Sequence, residues 1–105
     1  SRIENILSSE RRQRFLNKIF SKDEIALSKK RINESEFFAG RFAAKEAVRK
    51  ALNSKEFSTP KNFKSINIYS HANGKPCVVL KNFKKNIEVS ISHDGNYATA
   101  VCVVF

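Results

Sequence analysis

Glu46 and Lys50 are the residues of this chain whose types and spacing lend themselves most readily to chemistry. They belong to Phe38-Ala39-Gly40-Arg41-Phe42-Ala43-Ala44-Lys45-Glu46-Ala47-Val48-Arg49-Lys50-Ala51-Leu52, a strong helix pattern. At 100° per residue, Ala39, Ala43, Glu46 and Lys50 fall within roughly 60° of one another on the helix surface. Phe37, Val48 and Leu52 point elsewhere, towards a core. A carboxylate and an ammonium one turn apart, flanked by alanines, leave room for a ligand to approach the backbone. The same spacing also describes an ordinary surface Glu–Lys pair that only supports its helix, so spacing leaves both readings open. A second candidate is Ser92-His93-Asp94. These residues are consecutive, whereas the members of a serine-nucleophile triad must converge from separate positions. His93 is therefore either a polar turn residue or a group that contacts phosphate or moves a proton. The third candidate is the turn Asn73-Gly74-Lys75-Pro76. No P-loop, dinucleotide fingerprint, HExxH or G-x-S-x-G is present. His71, at a strand end, reads as surface.

The elements that must position these groups divide the chain in two. Residues 3 to 20 suit one or two helical pieces with an interruption near Ser8-Ser9. Ser21-Lys22-Asp23-Glu24 fits a capping box that opens a short helix to about Lys30. Asn33 or Ser35 caps the long helix, which runs to about Leu52, and Ser54 to Lys64 reads as a loop around Thr59-Pro60. The second half is strand-like. Ser65 to Ser70 alternates with Ile66 and Ile68 on one side, and Asn73-Gly74 turns the chain into a partner strand from Cys77 to Leu80. Ile87 to Ser92 alternates with Ile87, Val89 and Ile91 inward. His93 to Asn96 reads as a second turn, and Tyr97 to Val104, apolar on both faces, reads as a central strand. Helices followed by antiparallel strands predict an α+β fold in which the helices pack on one small antiparallel sheet.

At 105 residues the chain is expected to form one domain, residues 1–105, with a single modest core. No apolar run approaches the ~20 residues a membrane span requires. Cys77 and Cys102, without a metal-ligand pattern, read as buried thiols in a reducing cytoplasm. The chain starts at Ser1 and has no methionine, from which a further N-terminal segment is expected. A net charge of +10 draws in polyanions without choosing among nucleic acid, membrane, phosphorylated ligand and acidic protein. Arg11, Arg12, Arg14 and Lys18 cluster with no acid among residues 11–18. On a helix, Arg11, Arg14 and Lys18 share one face, a candidate docking surface, while Phe15, Leu16 and Ile19 turn largely towards the protein. A small basic nucleic-acid-binding module is the rival reading, but no RRM, KH or helix-turn-helix signature appears.

The segments Phe37 to Leu52, Asn73 to Pro76 and Val89 to Ala100 together resemble holo-acyl-carrier-protein synthase, the small bacterial 4′-phosphopantetheinyl transferase family. Arg2-Ile3-Glu4, Arg14-Phe15 to Phe20 and Ser21 to Glu24 fit the family in the same order, so the resemblance spans nearly the whole chain. It implies magnesium-dependent transfer of 4′-phosphopantetheine from coenzyme A to a serine of an apo-acyl carrier protein, for fatty acid biosynthesis, with adenosine 3′,5′-bisphosphate released. Glu46, Lys50 and His93 would be catalytic, Glu46 as the Mg2+ ligand and Lys50 at the pyrophosphate. Arg41, Lys50, Gly74, Lys75, Pro76, Ser92 and His93 would bind coenzyme A, and Arg11, Arg14 and Lys18 the acidic carrier protein. The resemblance further implies a cytoplasmic homotrimer with active sites between subunits, so that Glu46/Lys50 and His93 come from different chains. Nucleic acid and membrane are not expected partners.

Three departures accompany the likeness. The family's second metal ligand is an aspartate in a Gly-x-Asp strand before the Arg-Ile segment, and that strand is missing from this chain. Asn53-Ser54-Lys55-Glu56-Phe57 replaces the usual Gly-Thr-Gly turn after the long helix. Asp94 stands where threonine is common.

Overall fold

A computed structural model describes residues 2–60, 62–94 and 97–105, with side chains from residue 9 onward. Three helices, α1 (Arg2–Ile19), α2 (Lys22–Ser28) and α3 (Glu34–Ser54), precede a 3-10 turn (Phe63–Ser65) and strands β1 (Asn67–Ser70), β2 (Pro76–Val79), β3 (Ile87–Asp94) and β4 (Tyr97–Val104). The α+β order is as expected. The strands are antiparallel as expected, and among the described residues they form two ladders, β1 with β2 and β3 with β4, in place of one continuous sheet.

Local sequence explains the helix boundaries. Ser21 and Glu24 form the full capping box, with Glu24 N donating to Ser21 Oγ at 3.2 Å and Ser21 N donating to Glu24 Oε1 at 2.9 Å. Asn33 caps α3 by accepting from Glu36 N at 3.1 Å. Contrary to expectation, α1 continues through Ser8-Ser9, since two serines cost a helix too little to break it. The β1–β2 turn closes with His71 N donating to Lys75 O and Gly74 N to His71 O, each at 2.8 Å. Gly74 has φ +87, a left-handed value that glycine adopts without steric cost.

Two further sequence expectations are corrected. His93 and Asp94 are not turn residues but the last residues of β3, with Asp94 opposite Tyr97. Gly95 and Asn96, the rest of the expected turn, lie outside the described residues. β4 is not central: among the described residues it pairs only with β3. Its alternation turns Ala100, Cys102 and Val104 inward and leaves Tyr97, Val101 and Val103 at 79%, 67% and 53% exposed.

The core lies between α3 and the strands, where Ala44, Val48 and Leu52 meet Ile66, Ile68, Val89 and Val104. Burying each larger member contributes about 1.5–3 kcal/mol. A second cluster of Leu16, Phe20, Phe37 and Phe38 joins α1 to the start of α3. Between the two clusters lies a buried ion pair. Lys45 Nζ donates to Glu24 Oε1 at 2.6 Å and to the carbonyls of Ile19 at 2.9 Å and Phe63 at 2.8 Å. Glu24 Oε2 accepts from Ile68 N at 3.2 Å. Burial lowers the proton affinity of Lys45, and its hydrogen bond to Glu24 opposes that effect. One ion pair therefore ties α1, α2, α3, the 3-10 turn and β1 together.

Candidate active site

The cleft of about 610 Å³ opens where the start of α3 meets the β1–β2 turn and the end of β3, a volume in the range of small-molecule sites. His93 reaches it by continuing the inward row Ile87, Val89, Ile91. It packs on Gly40, where an added Cβ would stand 2.8 Å from His93 Cε1 and 3.1 Å from Ile91 Cγ2. Glycine at position 40 thus allows the imidazole to lie against the helix. Gly40→Ala is expected to displace the ring and to cost about 1 kcal/mol of stability. Altered His93 imidazole resonances and a lowered unfolding midpoint would record both effects, and an unchanged imidazole signal would refute the contact. Glu36 Oε1 lies 3.8 Å from His93 Nδ1.

Arg41 also lines the cleft. It is only 5% exposed, its Nη2 donates to Ser70 Oγ, and its guanidinium lies 5.0 Å from the Phe37 ring centroid. Burial, then the neighbouring Arg31, lowers its proton affinity, with Glu24 opposing. Arg41 Nε is buried without a hydrogen-bond partner among the described residues. Lys30 and Arg31 from the α2–α3 connection add two cations to the lining, against the single carboxylate of Glu36. An anion therefore finds excess positive charge here.

The structure gathers only part of the residues singled out from sequence. Arg41, Gly74, Pro76 and His93 line the cleft. Lys75 stands in the exposed turn without lining it, and Ser92 belongs to the outward row of β3, on the face opposite His93. Glu46 and Lys50 are absent from this cleft: Glu46 lies ~7.5 Å along α3 and ~140° around it from Arg41. They occupy the open stripe with Ala39 and Ala43, Glu46 half-buried and Lys50 exposed. No ion pair joins Glu46 to Lys50 among the described residues, so the ordinary helix-supporting pair is not what this structure forms.

For a divalent metal the donor set is sparse. No group of three His, Cys, Asp or Glu that could hold one occurs among the described residues. Glu46 alone is a hard oxygen donor of the type magnesium takes when substrate phosphates and water complete its shell. It fits a shared shell, not an all-protein cage.

Arg11, Arg14 and Lys18 are all exposed on α1. Arg12 instead lies over the Phe38 ring at 5.9 Å and 3.8 Å from Glu34. Leu16 is buried as expected, but Phe15 is 55% exposed. The helical angle explains the correction: Phe15 is ~40° from Arg11 and ~60° from Lys18, at the edge of the basic face. Sequence reading passed over Lys30, Arg31, Glu36 and Ser70, whose meeting depends on contacts up to 39 residues apart; the Lys30-Arg31 pair beside a helix start was the one visible signal.

A cleft lined by Lys30, Arg31 and Arg41 on an α+β frame has the size and charge that suit an anionic small molecule. The chain belongs to the 4′-phosphopantetheinyl transferase superfamily, whose family model matches residues 3–102. Its relatives include the holo-[acyl-carrier-protein] synthase of Thermodesulfovibrio yellowstonii, 42% identical over 92 residues, covering 88% of this chain and 79% of that protein. The enzyme of the same name from Wolbachia pipientis wMel is 44% identical over 96 residues, covering 88% and 76%. The crystal structure of Helicobacter pylori holo-[acyl-carrier-protein] synthase in complex with coenzyme A matches with a TM-score of 0.74 and 34% identity, over 99% of this chain and 91% of that one.

Proposed function

We propose that this protein transfers the 4′-phosphopantetheine group of coenzyme A to a serine hydroxyl of an apo-acyl carrier protein, releasing adenosine 3′,5′-bisphosphate. The observation that carries the reading is the cleft lined by Arg31, Arg41 and His93 together, on a fold similar to a synthase solved with coenzyme A. The serine hydroxyl gives up its proton to a base as its oxygen attacks the β-phosphorus, the diphosphate P–O bond breaks, and negative charge gathers on the departing bisphosphate. The main demand is therefore positive charge placed before the reaction begins. Arg41, Gly74, Pro76 and His93 bind coenzyme A in the cleft, and Lys50 stabilises the leaving group. Glu46 would hold Mg2+, which when bound would supply further positive charge at the diphosphate.

His93 and the Glu46/Lys50 stripe serve one reaction if two copies of the chain share each site. We read the enzyme as a homotrimer in which one copy supplies the cleft and its neighbour the stripe. The exposed row Tyr97, Val101, Val103 and Phe105 supports this, because a run of outward apolar side chains marks a surface that another protein covers. On the same reading residues 1–105 form one transferase domain, acting in the cytoplasm and serving fatty acid biosynthesis.

Intact-mass measurement of an apo-carrier protein incubated with the enzyme, coenzyme A and magnesium tests the activity. The carrier gains one phosphopantetheine; no gain refutes the reading. Arg11, Arg14 and Lys18, with Phe15 at their edge, form the carrier-docking face, because acidic carrier proteins meet a cationic partner favourably. Arg14→Glu is expected to raise KM for the carrier at least about tenfold while leaving KM for coenzyme A unchanged. Parallel increases in both constants would remove the docking role.

A further inference from the structure

Two guanidiniums at the cleft are held by the same two groups. Arg31 Nη2 donates to Ser70 Oγ at 3.1 Å, and Arg41 Nη2 donates to the same oxygen. Both guanidiniums also lie over the Phe37 ring, at 5.5 Å for Arg31 and 5.0 Å for Arg41. The three polar partners come from separate parts of the chain: the α2–α3 connection, the middle of α3 and the last residue of β1. Like charges repel, and Arg31 lowers the proton affinity of the buried Arg41. Something must hold them together.

The chemistry of serine suits that task. A hydroxyl oxygen offers two acceptor sites and one O–H donor, and here both acceptor sites serve arginines. Being neutral, it joins two cations without cancelling either, whereas a carboxylate in its place would remove one unit of the charge that attracts an anion. Arg41 Nε, buried without a partner among the described residues, leaves donor capacity unspent beside the cleft. Two long side chains already ordered on a ring and a hydroxyl lose little further freedom when an anion arrives.

Resting on the reading of the cleft as the coenzyme A site, we propose that Ser70 is a positioning residue for coenzyme A: its oxygen keeps Arg31 and Arg41 together as an uncancelled cation pair that receives a substrate phosphate. The Ser70 variants leave both guanidiniums in place and change only the oxygen between them; loss of a guanidinium itself serves as the reference.

Steady-state kinetics of Ser70→Ala, Ser70→Thr, Ser70→Asp and, as a reference, Arg41→Ala decide the matter, with thermal unfolding as a check on folding. Ser70→Ala is expected to raise KM for coenzyme A about tenfold, with kcat and KM for the carrier within about twofold of the starting enzyme. Ser70→Thr, which keeps the hydroxyl, restores binding, and Ser70→Asp raises KM beyond the alanine variant by cancelling charge. A coenzyme A KM unchanged in Ser70→Ala but raised in Arg41→Ala would overturn the role of Ser70 alone. An unchanged KM in both variants would overturn the cleft as the coenzyme A site, and this proposal with it. Equal losses in Ser70→Thr and Ser70→Ala would assign the effect to packing and also reject the proposal.

Discussion

Glu46→Gln is expected to cut kcat for transfer by at least about a hundredfold at saturating coenzyme A and carrier protein, with folding stability within about 0.5 kcal/mol of the starting protein. Glutamine preserves the size and reach of the side chain and removes only its charge. That charge has no structural duty in sight: Glu46 is half-buried on the open stripe of α3, without an ion pair among the described residues. Its loss therefore acts on what the stripe binds and not on the packing beneath it. Titrating magnesium against the transfer rate and measuring the urea midpoint of both proteins separates the two effects. A variant that turned over within a few-fold of the original rate would end the metal-ligand role, and one that unfolded early would mean that Glu46 is structural after all.

The second large effect concerns stability. Lys45→Met is expected to cost about 3–5 kcal/mol, because it strands the Glu24 carboxylate in a dry interior. Both side chains are essentially fully buried, at 0% and 1% exposed. The loss is a large part of the ~5–15 kcal/mol that holds an ordinary domain together. Adding Glu24→Gln to Lys45→Met should recover part of it, since a neutral amide still offers an oxygen to Ser21 N or Ile68 N without an unpaired charge. Urea denaturation of the two single variants and the double variant gives the coupling, expected to exceed about 1 kcal/mol. Strictly additive losses would show that the two side chains do not act as a pair.

These two neighbouring residues also show how far sequence can be read. Glu46 and Lys45 sit side by side in one motif, yet the first faces outward with Ala39, Ala43 and Lys50 while the second fastens five elements together. The stripe was legible because helical periodicity assigns each residue an angle, and a capping box and a glycine turn are equally local. Ser21-Glu24, the Asn33 cap and the Gly74 turn all stand where their residue types require. Strand alternation likewise gave the inward row of Ile87, Val89 and Ile91. Its continuation to His93 was hidden by Gly95-Asn96, which made the turn look two residues longer.

Composition, helical angle and local capping by themselves determined the α+β order, the open Glu46/Lys50 stripe, the basic face of α1 and, through its motifs, the family. Only the tertiary structure decided that Lys45 is spent on Glu24, that Arg31 and Arg41 share Ser70, that Phe15 stands exposed at the edge of the basic face, and that His93 rests on Gly40 in a cleft apart from Glu46. The reason is the range of the forces involved. Dihedral preferences and cap hydrogen bonds act within a few residues, whereas burial brings together groups some 20 to 50 positions apart, and no local pattern records which of them will meet.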